Sequence, residues 1–190
     1  MKKAAFLDRD GVLNRKAPEG QYVTRWEEME FLPGAREAVR LLNQAGYFVV
    51  VVSNQRCIAK GLITASELDS MHVRMRHEFE AVGARFDAIY YCPHDFQPPC
   101  GCRKPQPGML LEAARKHELD LAESWMIGDS DHDVEAGRSV GCRTVRLIGD
   151  GEPPIGEANV VASSLLDAVH KLLELQPDLS TTSVRVPLPL

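Results

Sequence analysis

The chain alternates short apolar runs with segments in which apolar residues recur at helical spacing. Runs of this length, rich in Val, Ile and Phe, are typical of buried strands. The predicted strands cover residues 3–7, 47–52, 86–91, 124–127, 143–148 and 159–162, and the predicted helices cover 35–45, 64–82, 107–118, 131–140 and 163–175. Regular alternation of strands and helices indicates an α/β fold with a doubly wound, mostly parallel sheet and helices on both faces.

The length and the pattern together indicate one domain. A chain of 190 residues fits a single domain on the usual scale of about 100–200 residues. We expect this domain to span residues 1–176. Residues 177–190 contain three prolines and no periodic pattern, so we expect a loosely ordered tail there.

Composition excludes several classes of function. The charged residues are 22 Lys and Arg against 27 Asp and Glu, a net charge of −5, which argues against nucleic acid as the main partner. The apolar run before Asp8 is only four residues long, residues 4–7, which is too short for a signal peptide, and no apolar run is long enough to span a membrane. We therefore expect a cytoplasmic monomer that acts on a small molecule, without a membrane or nucleic-acid partner.

Polar residues suited to phosphate chemistry follow four of the predicted strands. The carboxyl ends of parallel strands meet at one edge of the sheet, where ligands of doubly wound folds bind. We therefore expect these side chains to converge on one crevice. In chain order they are Asp8 and Asp10, then Ser53 and Asn54, then Arg103 and Lys104, then Asp129 and Asp133.

This set suits transfer of a phosphoryl group through an aspartyl-phosphate. Asp8 is the candidate nucleophile, and Asp10 is placed to act as general acid and base. Carboxylates this crowded need a cation between them, for which Mg²⁺ is suited. Ser53 can donate to a phosphoryl oxygen and Lys104 can balance its charge. Each motif alone is more often a turn or a helix cap, but four in this order favour catalysis.

The order of these motifs resembles the haloacid dehalogenase superfamily, over residues 3–149. The resemblance implies a haloacid dehalogenase-like Rossmannoid fold in which Asp8 is the nucleophile and Asp10 the acid/base. It also implies that Asp8, the backbone carbonyl of Asp10 and Asp129 hold Mg²⁺. Asp133 would orient Lys104 or water.

The five cysteines are expected to be reduced thiols. Cys92, His94, Cys100 and Cys102 supply three thiolates and an imidazole within eleven residues, a closed ligand set for structural Zn²⁺. The alternative is a loop with free thiols, which would be prone to oxidation. A zinc-bound loop would direct Arg103 toward the substrate, where its guanidinium can bind a phosphate or carboxylate.

Together with the cysteine loop, further segments resemble the heptose bisphosphate and histidinol phosphate phosphatases. They are residues 8–14, 22–23, 31–34, 53–55 and 102–105. The resemblance implies a fold without a large cap and a sugar bisphosphate phosphatase of lipopolysaccharide synthesis, with Asn54 and Arg103 as substrate-binding residues. Asn14 and residues 107–109 favour this heptose branch. The alternatives are a histidinol-phosphate phosphatase and, from another class, a noncatalytic phosphate-binding module.

The chain departs from the heptose pattern at a few positions. Ser130 stands where those enzymes tend to carry Lys or Arg, which leaves one cation fewer for phosphate. Arg56 replaces a small residue, and residues 15–21 form a longer stretch than expected. The histidines on predicted helices, His72 among them, are expected at the surface or the edge of the core without ligand partners.

Overall fold

The computed structural model describes residues 1–149 and 157–175. Its strands are β1 (Lys2–Leu7), β2 (Phe48–Asn54), β3 (Ala88–Cys92), β4 (Leu119–Gly128), β5 (Arg143–Leu147) and β6 (Val160–Ala162). Its helices are α1 (Ala35–Gln44), α2 (Ala65–Glu80), α3 (Gly108–His117), α4 (Asp131–Ser139) and α5 (Leu165–Glu174), with a 3₁₀ turn at Trp26–Glu28. The predicted tail at 177–190 lies outside the described residues.

The strands form one six-stranded sheet in the order β3-β2-β1-β4-β5-β6, and every recorded pair is parallel. The predicted α/β class is therefore confirmed. The chain reverses the direction of strand addition between β1 and β4, which are neighbours in the sheet. This is the switch point at which doubly wound folds bind ligands. No separate cap domain is inserted within the part of the chain that the structure describes.

Both faces of β1 are buried, as a doubly wound sheet requires. Ala5 and Leu7 pack with α1 and α5 on one face, while Ala4 and Phe6 pack with α3 on the other. All four side chains are fully buried. Because both faces of β1 are covered, residues 4–7 are all apolar and do not alternate with polar residues.

Element boundaries differ from the predicted ones in a few places. Strand β4 begins at Leu119, five residues before its predicted start. Its register against β1 shifts between Lys3 and Ala5, and the N–H of Ala4 donates to Oγ of Ser124 at 2.8 Å. The Ser124 hydroxyl oxygen thus accepts the hydrogen bond of the Ala4 backbone N–H at the point where the strand register shifts. Helix α2 ends at Glu80, so Val82 is half exposed.

A third group of buried apolar residues lies beside the main layers. It joins the segment between β1 and α1 to the start of α2 and consists of Val23, Met29, Cys57, Ile63, Leu68 and Met71. This packing holds the loop that borders the sheet's carboxyl edge. None of the helices in the described ranges combines the length and the hydrophobicity that a membrane span requires.

Candidate active site

The polar residues predicted to converge do so at the carboxyl edge of the sheet. A cavity of about 320 Å³ opens there, between the ends of β1, β2 and β4 and the loop at residues 16–23. Its lining contains every catalytic candidate from the sequence, together with both substrate-binding candidates. The predicted residues that line it are Asp8, Asp10, Ser53, Asn54, Arg103, Lys104, Asp129 and Asp133.

Lys104 lies at the base of this cavity between two carboxylates. Its Nζ is 2.8 Å from Oδ1 of Asp8 and 2.6 Å from Oδ1 of Asp133, and it also donates to the carbonyl of Val52 at 2.7 Å. Burial would lower the pKa of Lys104, but the charges of Asp133 and Asp8 outweigh it and raise that pKa. Lys104 is therefore a permanent positive charge beneath the site.

Asp8 has a strongly raised pKa. Burial is the main cause; Lys104 opposes it, while the negative charges of Asp133 and Asp129 add to it, and the pKa of Asp8 reaches about 7. A carboxyl in this state gains most from a further cation, because positive charge nearby favours its ionised form.

Asp10 is in a different environment, although it is only two residues away. Arg9 Nη2 donates to both of its carboxylate oxygens at 2.9 Å, and the side-chain amides of Asn14 and Gln55 each donate at 2.9 Å. Burial would raise the pKa of Asp10, but Arg9 and these hydrogen bonds outweigh it and lower that pKa. The two carboxyls thus have pKa values shifted in opposite directions, because Asp8 lies among buried acidic neighbours while Asp10 is bonded by a cation and two amides.

Arg9, Asn14 and Gln55 had no role assigned from the sequence. All three are buried. Asn14 and Gln55 lie in residues 8–14 and 53–55, two of the segments on which the family resemblance rests. Their nearness in the chain to Asp10 and Ser53 was the sequence feature that could have indicated a role for them. The sequence also offered an indication for Arg9. It lies between Asp8 and Asp10 directly after a buried strand, where an arginine side chain is expected to pair with a carboxylate.

The two candidates after β2 differ in what their side chains do. Ser53 is buried, and its Oγ accepts a hydrogen bond from Gln55 at 2.7 Å, which leaves its own proton for another acceptor. The amide of Asn54 bonds the backbone of Lys104 at both ends, with both distances 3.0 Å. Asn54 therefore ties the end of β2 to the loop that carries Lys104, a contact its predicted substrate-binding role did not anticipate.

Three carboxylates can hold a metal ion. Ligand oxygens from Asp8, Asp129 and Asp133 all lie within 4.8 Å of one another. The close approach depends on Gly11, because a Cβ there would lie 2.3 Å from Oδ2 of Asp129, and on Gly128, where a Cβ would meet the Asp133 side chain at 2.2 Å. A set of hard oxygen donors with excess negative charge fits Mg²⁺.

Lys16 is a cation of the site that the sequence did not single out. Its Nζ lies 2.8 Å from Oδ2 of Asp129, and it lines the cavity from the loop after β1. It belongs to residues 15–21, a stretch longer than the heptose pattern predicts. Lys16 lines the same cavity as Ser130 and offers a cation that Ser130 does not provide.

The predicted zinc ligands are gathered at one point. The ligand atoms of Cys92, His94, Cys100 and Cys102 all lie within 4.8 Å of one another. Sulfur–sulfur distances run from 3.2 to 3.6 Å, and Nδ1 of His94 is 3.2 Å from Sγ of Cys102. Burial and the neighbouring thiols raise the pKa of Cys102 to about 12. Because thiolates this close repel one another, the cluster fits a soft dication.

The loop bearing these cysteines also positions Arg103. The guanidinium groups of Arg103 and Arg56 both lie over the ring of Phe96, at 4.5 and 4.2 Å from its centroid. Arg56 pairs with Asp95, and Arg103 donates to the carbonyl of His94 at 3.4 Å. The stack holds Arg103 at the mouth of the cavity and gives Arg56 a structural contact.

His72 differs from its prediction. It was expected without a ligand partner at the surface or the core edge, but it is buried, and its Nε2 lies 3.4 Å from Nη1 of Arg9. His72 lies in the middle of α2 and contacts Arg9, the residue between Asp8 and Asp10.

Comparison with known proteins agrees with this geometry. The sequence model of the HAD-hydrolase-like family matches residues 101–168. A D-glycero-beta-D-manno-heptose-1,7-bisphosphate 7-phosphatase of Vibrio cholerae is 36% identical over 186 residues, which cover 92% of this chain and 98% of the relative. One of Rhodopseudomonas palustris is 38% identical over 154 residues, which cover 77% and 84%.

This chain belongs to the heptose bisphosphate phosphatase family. The crystal structure of the D,D-heptose 1,7-bisphosphate phosphatase of B. bronchiseptica, complexed with magnesium and phosphate, superposes with a TM-score of 0.83. It is 34% identical, and the match covers 90% of this chain and 98% of that one. Like the other members of the heptose bisphosphate phosphatase family, the chain is a phosphoric monoester hydrolase of haloacid dehalogenase-like fold, so a noncatalytic phosphate-binding module is ruled out.

Proposed function

We propose that this protein removes the 7-phosphate of D-glycero-D-manno-heptose 1,7-bisphosphate, by way of an aspartyl-phosphate on Asp8. The observation that carries this is the convergence of Asp8, Asp10, Ser53 and Lys104 on one cavity, with Nζ of Lys104 2.8 Å from Asp8. Asp10 is held in place there by hydrogen bonds from Arg9, Asn14 and Gln55.

Asp8 is the nucleophile in this proposal. Its carboxylate attacks phosphorus, a P–O bond to Asp8 forms, and the P–O bond to the sugar breaks. Lys104 stays within 2.8 Å of Asp8 and balances charge on the transferring group. The Ser53 hydroxyl, whose oxygen already accepts from Gln55, donates its proton to a phosphoryl oxygen.

Asp10 transfers protons in both halves of the reaction. It protonates the departing sugar oxygen, and then takes a proton from the water that attacks the aspartyl-phosphate and releases inorganic phosphate. Asp10 is ionised in the free site, so its first proton must be taken up as substrate binds. A negatively charged phosphoryl group beside Asp10 raises its pKa in the complex and favours that uptake.

Asp8, Asp129 and the backbone carbonyl of Asp10 would hold Mg²⁺, with Asp133 beside them. The oxygen donors gathered at Asp8, Asp129 and Asp133 support this assignment, as does the magnesium in the related crystal structure. Bound there, Mg²⁺ supplies positive charge that stabilises the transferring phosphoryl group. Asp133 pairs with Lys104 at 2.6 Å and so fixes the ammonium group.

Cys92, His94, Cys100 and Cys102 would hold a structural Zn²⁺. Four protein ligands leave no open position on a tetrahedral ion, so its effect is to rigidify the loop. The compact cluster supports this. Reduced thiols also fit the cytoplasm, where we place the enzyme.

Recognition of a bisphosphate needs cations away from the reacting phosphate. Arg103 lies at the cavity mouth on its Phe96 stack, where its guanidinium can bind the second phosphate with two donors. Lys16 can move from Asp129 to the phosphate once a metal ion occupies the carboxylates. A histidinol phosphate carries one phosphate and a cationic amine, which Arg103 would repel.

The experiment compares kcat/KM on both anomers of heptose 1,7-bisphosphate and on histidinol phosphate, with Mg²⁺ present. We expect the better bisphosphate anomer to exceed histidinol phosphate by about 10- to 150-fold, because one charge-assisted phosphate contact contributes roughly 1.5–3 kcal/mol. R103A should lose most of that preference while keeping its rate on a simple monophosphate. Equal or higher kcat/KM on histidinol phosphate would refute the substrate assignment.

A further inference from the structure

His72 is a buried polar side chain that the proposed chemistry leaves without a role. It is 5% exposed, and its ring lies 5.7 Å from the ring of Tyr91 at the end of β3. Its Nε2 is 3.4 Å from Nη1 of Arg9. Arg9 is itself fully buried, so this contact between α2 and the end of β1 is formed away from solvent.

Arg9 divides its nitrogens between two partners. Nη2 donates to both oxygens of Asp10 at 2.9 Å, and Nε lies 3.3 Å from Oδ1 of Asp10. The remaining nitrogen, Nη1, faces His72. Since a guanidinium is planar and rigid, a partner at Nη1 fixes the orientation of the two nitrogens that bond Asp10.

The direction of the hydrogen bond fixes the state of the imidazole. An arginine only donates hydrogen bonds, so Nε2 of His72 must accept, and the ring is neutral with its proton on Nδ1. A protonated ring would have no lone pair for Arg9 and would place a second positive charge beside it. Burial and the charge of Arg9 lower the pKa of His72 to about 3, which agrees with a neutral ring.

We propose that His72 is a positioning residue: its neutral Nε2 accepts from Arg9 and thereby fixes the guanidinium that orients the acid/base residue Asp10. The proposal rests on the acid/base role of Asp10 stated above. It assigns a function in catalysis to α2, a helix that contributes no residue to the cavity lining. The His72 side chain acts entirely through Arg9 and touches neither substrate nor metal.

The test uses two variants of similar size. In H72Q the side-chain oxygen can reach the place of Nε2 and accept from Arg9, while H72M fills the space without a comparable acceptor. Each is assayed on a sugar phosphate, whose leaving oxygen needs a proton, and on p-nitrophenyl phosphate, whose leaving group departs without one. General acid catalysis matters only for the first.

We expect H72M to lower kcat/KM on the sugar phosphate by about tenfold and on p-nitrophenyl phosphate by less than about threefold. H72Q should recover most of that loss. H117M is the matched control, because it also removes a ring that bonds a partly buried partner, the hydroxyl of Tyr90 at 3.2 Å. We expect H117M to show no difference between the two substrates. An equal loss on both substrates in H72M, or no loss at all, overturns the proposal.

Two further measurements separate this inference from the proposed function. D10N should show the same dependence on leaving group, more strongly; if its loss is equal on both substrates, the acid/base assignment fails and the His72 role fails with it. If D10N behaves as expected and H72M does not, only the His72 role fails. Nitrogen-15 NMR of the His72 ring at pH 7 should show the Nδ1–H tautomer, and a charged or Nε2-protonated ring overturns the Arg9 contact itself.

Discussion

The ammonium group of Lys104 lies 2.8 Å from the carboxylate of Asp8, with the side chains 2% and 13% exposed. Burial alone would keep Asp8 protonated at neutral pH, and Lys104 is the largest influence against that. The proposed nucleophilic role requires an ionised Asp8, and Lys104, on the loop after β3, supplies the charge that favours this state.

Asp8→Asn should abolish turnover and leave the fold intact. The amide keeps the shape of the carboxyl but cannot form an aspartyl-phosphate, so we expect kcat to fall by at least about 1,000-fold. Steady-state assays and circular dichroism measure the two effects. D131N, an exposed carboxylate at the start of α4, is the control and should keep wild-type activity. Turnover by D8N near the wild-type rate would rule out the mechanism.

Lys104→Met should destabilise the protein as well as inactivate it. It leaves Asp8 and Asp133 buried without their cation, and removing one partner of a buried ion pair costs roughly 3–5 kcal/mol. Urea unfolding without added metal measures this cost, and K104M combined with D133N should recover part of it. R15M breaks the exposed pair with Glu30 and should change nothing measurable. A K104M unfolding curve that matches wild type would contradict this account.

Lys16→Met should lower the Mg²⁺ concentration needed for half-maximal rate and raise the KM for the substrate. Lys16 pairs with Asp129, a proposed Mg²⁺ ligand, so we expect it to compete with the metal ion. An exposed ion pair contributes up to about 1 kcal/mol, so the Mg²⁺ concentration for half-maximal rate should fall by up to about fivefold. The loss of a cation that binds phosphate should raise KM by about tenfold. Metal and substrate titrations give both values. A rise in the Mg²⁺ requirement would show that Lys16 does not oppose the metal.

Cys100→Ser should release zinc and loosen the loop that carries Arg103. Elemental analysis of the wild-type protein, purified without chelators, should find about one zinc per chain. C100S should bind less zinc, and its KM for the substrate should rise with a smaller change in kcat. C142A removes a thiol outside the cluster and should keep its zinc. A zinc-free wild-type chain would refute the assignment of the cysteine cluster.

His72 should make the folded state less stable as the pH falls. Its pKa is about 3 in the folded protein against 6.5 in the unfolded chain, so below pH 6.5 the unfolded state takes up a proton that the folded state does not. Between pH 7 and pH 5 the wild type should lose about 2 kcal/mol more stability than H72Q. Urea unfolding at both pH values measures the difference. If the wild type and H72Q lose the same free energy of unfolding between pH 7 and pH 5, the pKa of His72 in the folded protein is not lowered.

The sequence allowed the fold class and the residues at the strand ends to be predicted, because both depend on neighbours along the chain. Continuous apolar runs mark strands buried on both faces, and a parallel sheet must place their carboxyl ends together. Asp8, Ser53, Lys104 and Asp129 could therefore be named as candidates that would meet. The cysteine cluster was also visible, because its ligands lie within eleven residues.

Other features depend on how separate elements pack, and the sequence does not show them. Asn54 was predicted to bind substrate, but its amide holds the backbone of Lys104, fifty residues away. Lys16 lies on an irregular loop without a periodic pattern, so its approach to Asp129, more than a hundred residues further on, could not be predicted. The spacing of histidines on α2 likewise gave no indication that His72 contacts Arg9, which follows β1.

The sequence by itself determined the alternation of strands and helices, the acidic and basic groups at the ends of β1 to β4, and the grouping of three cysteines and one histidine within residues 92–102. Only the tertiary structure decided that Asp8 and Asp10 have opposite environments, since that depends on Lys104 and Asp133 around one and on Arg9, Asn14, Gln55 and, behind Arg9, His72 around the other. The physical reason is that periodicity is a local property of the chain. The charge and burial that set a pKa come instead from whichever elements the packing brings together.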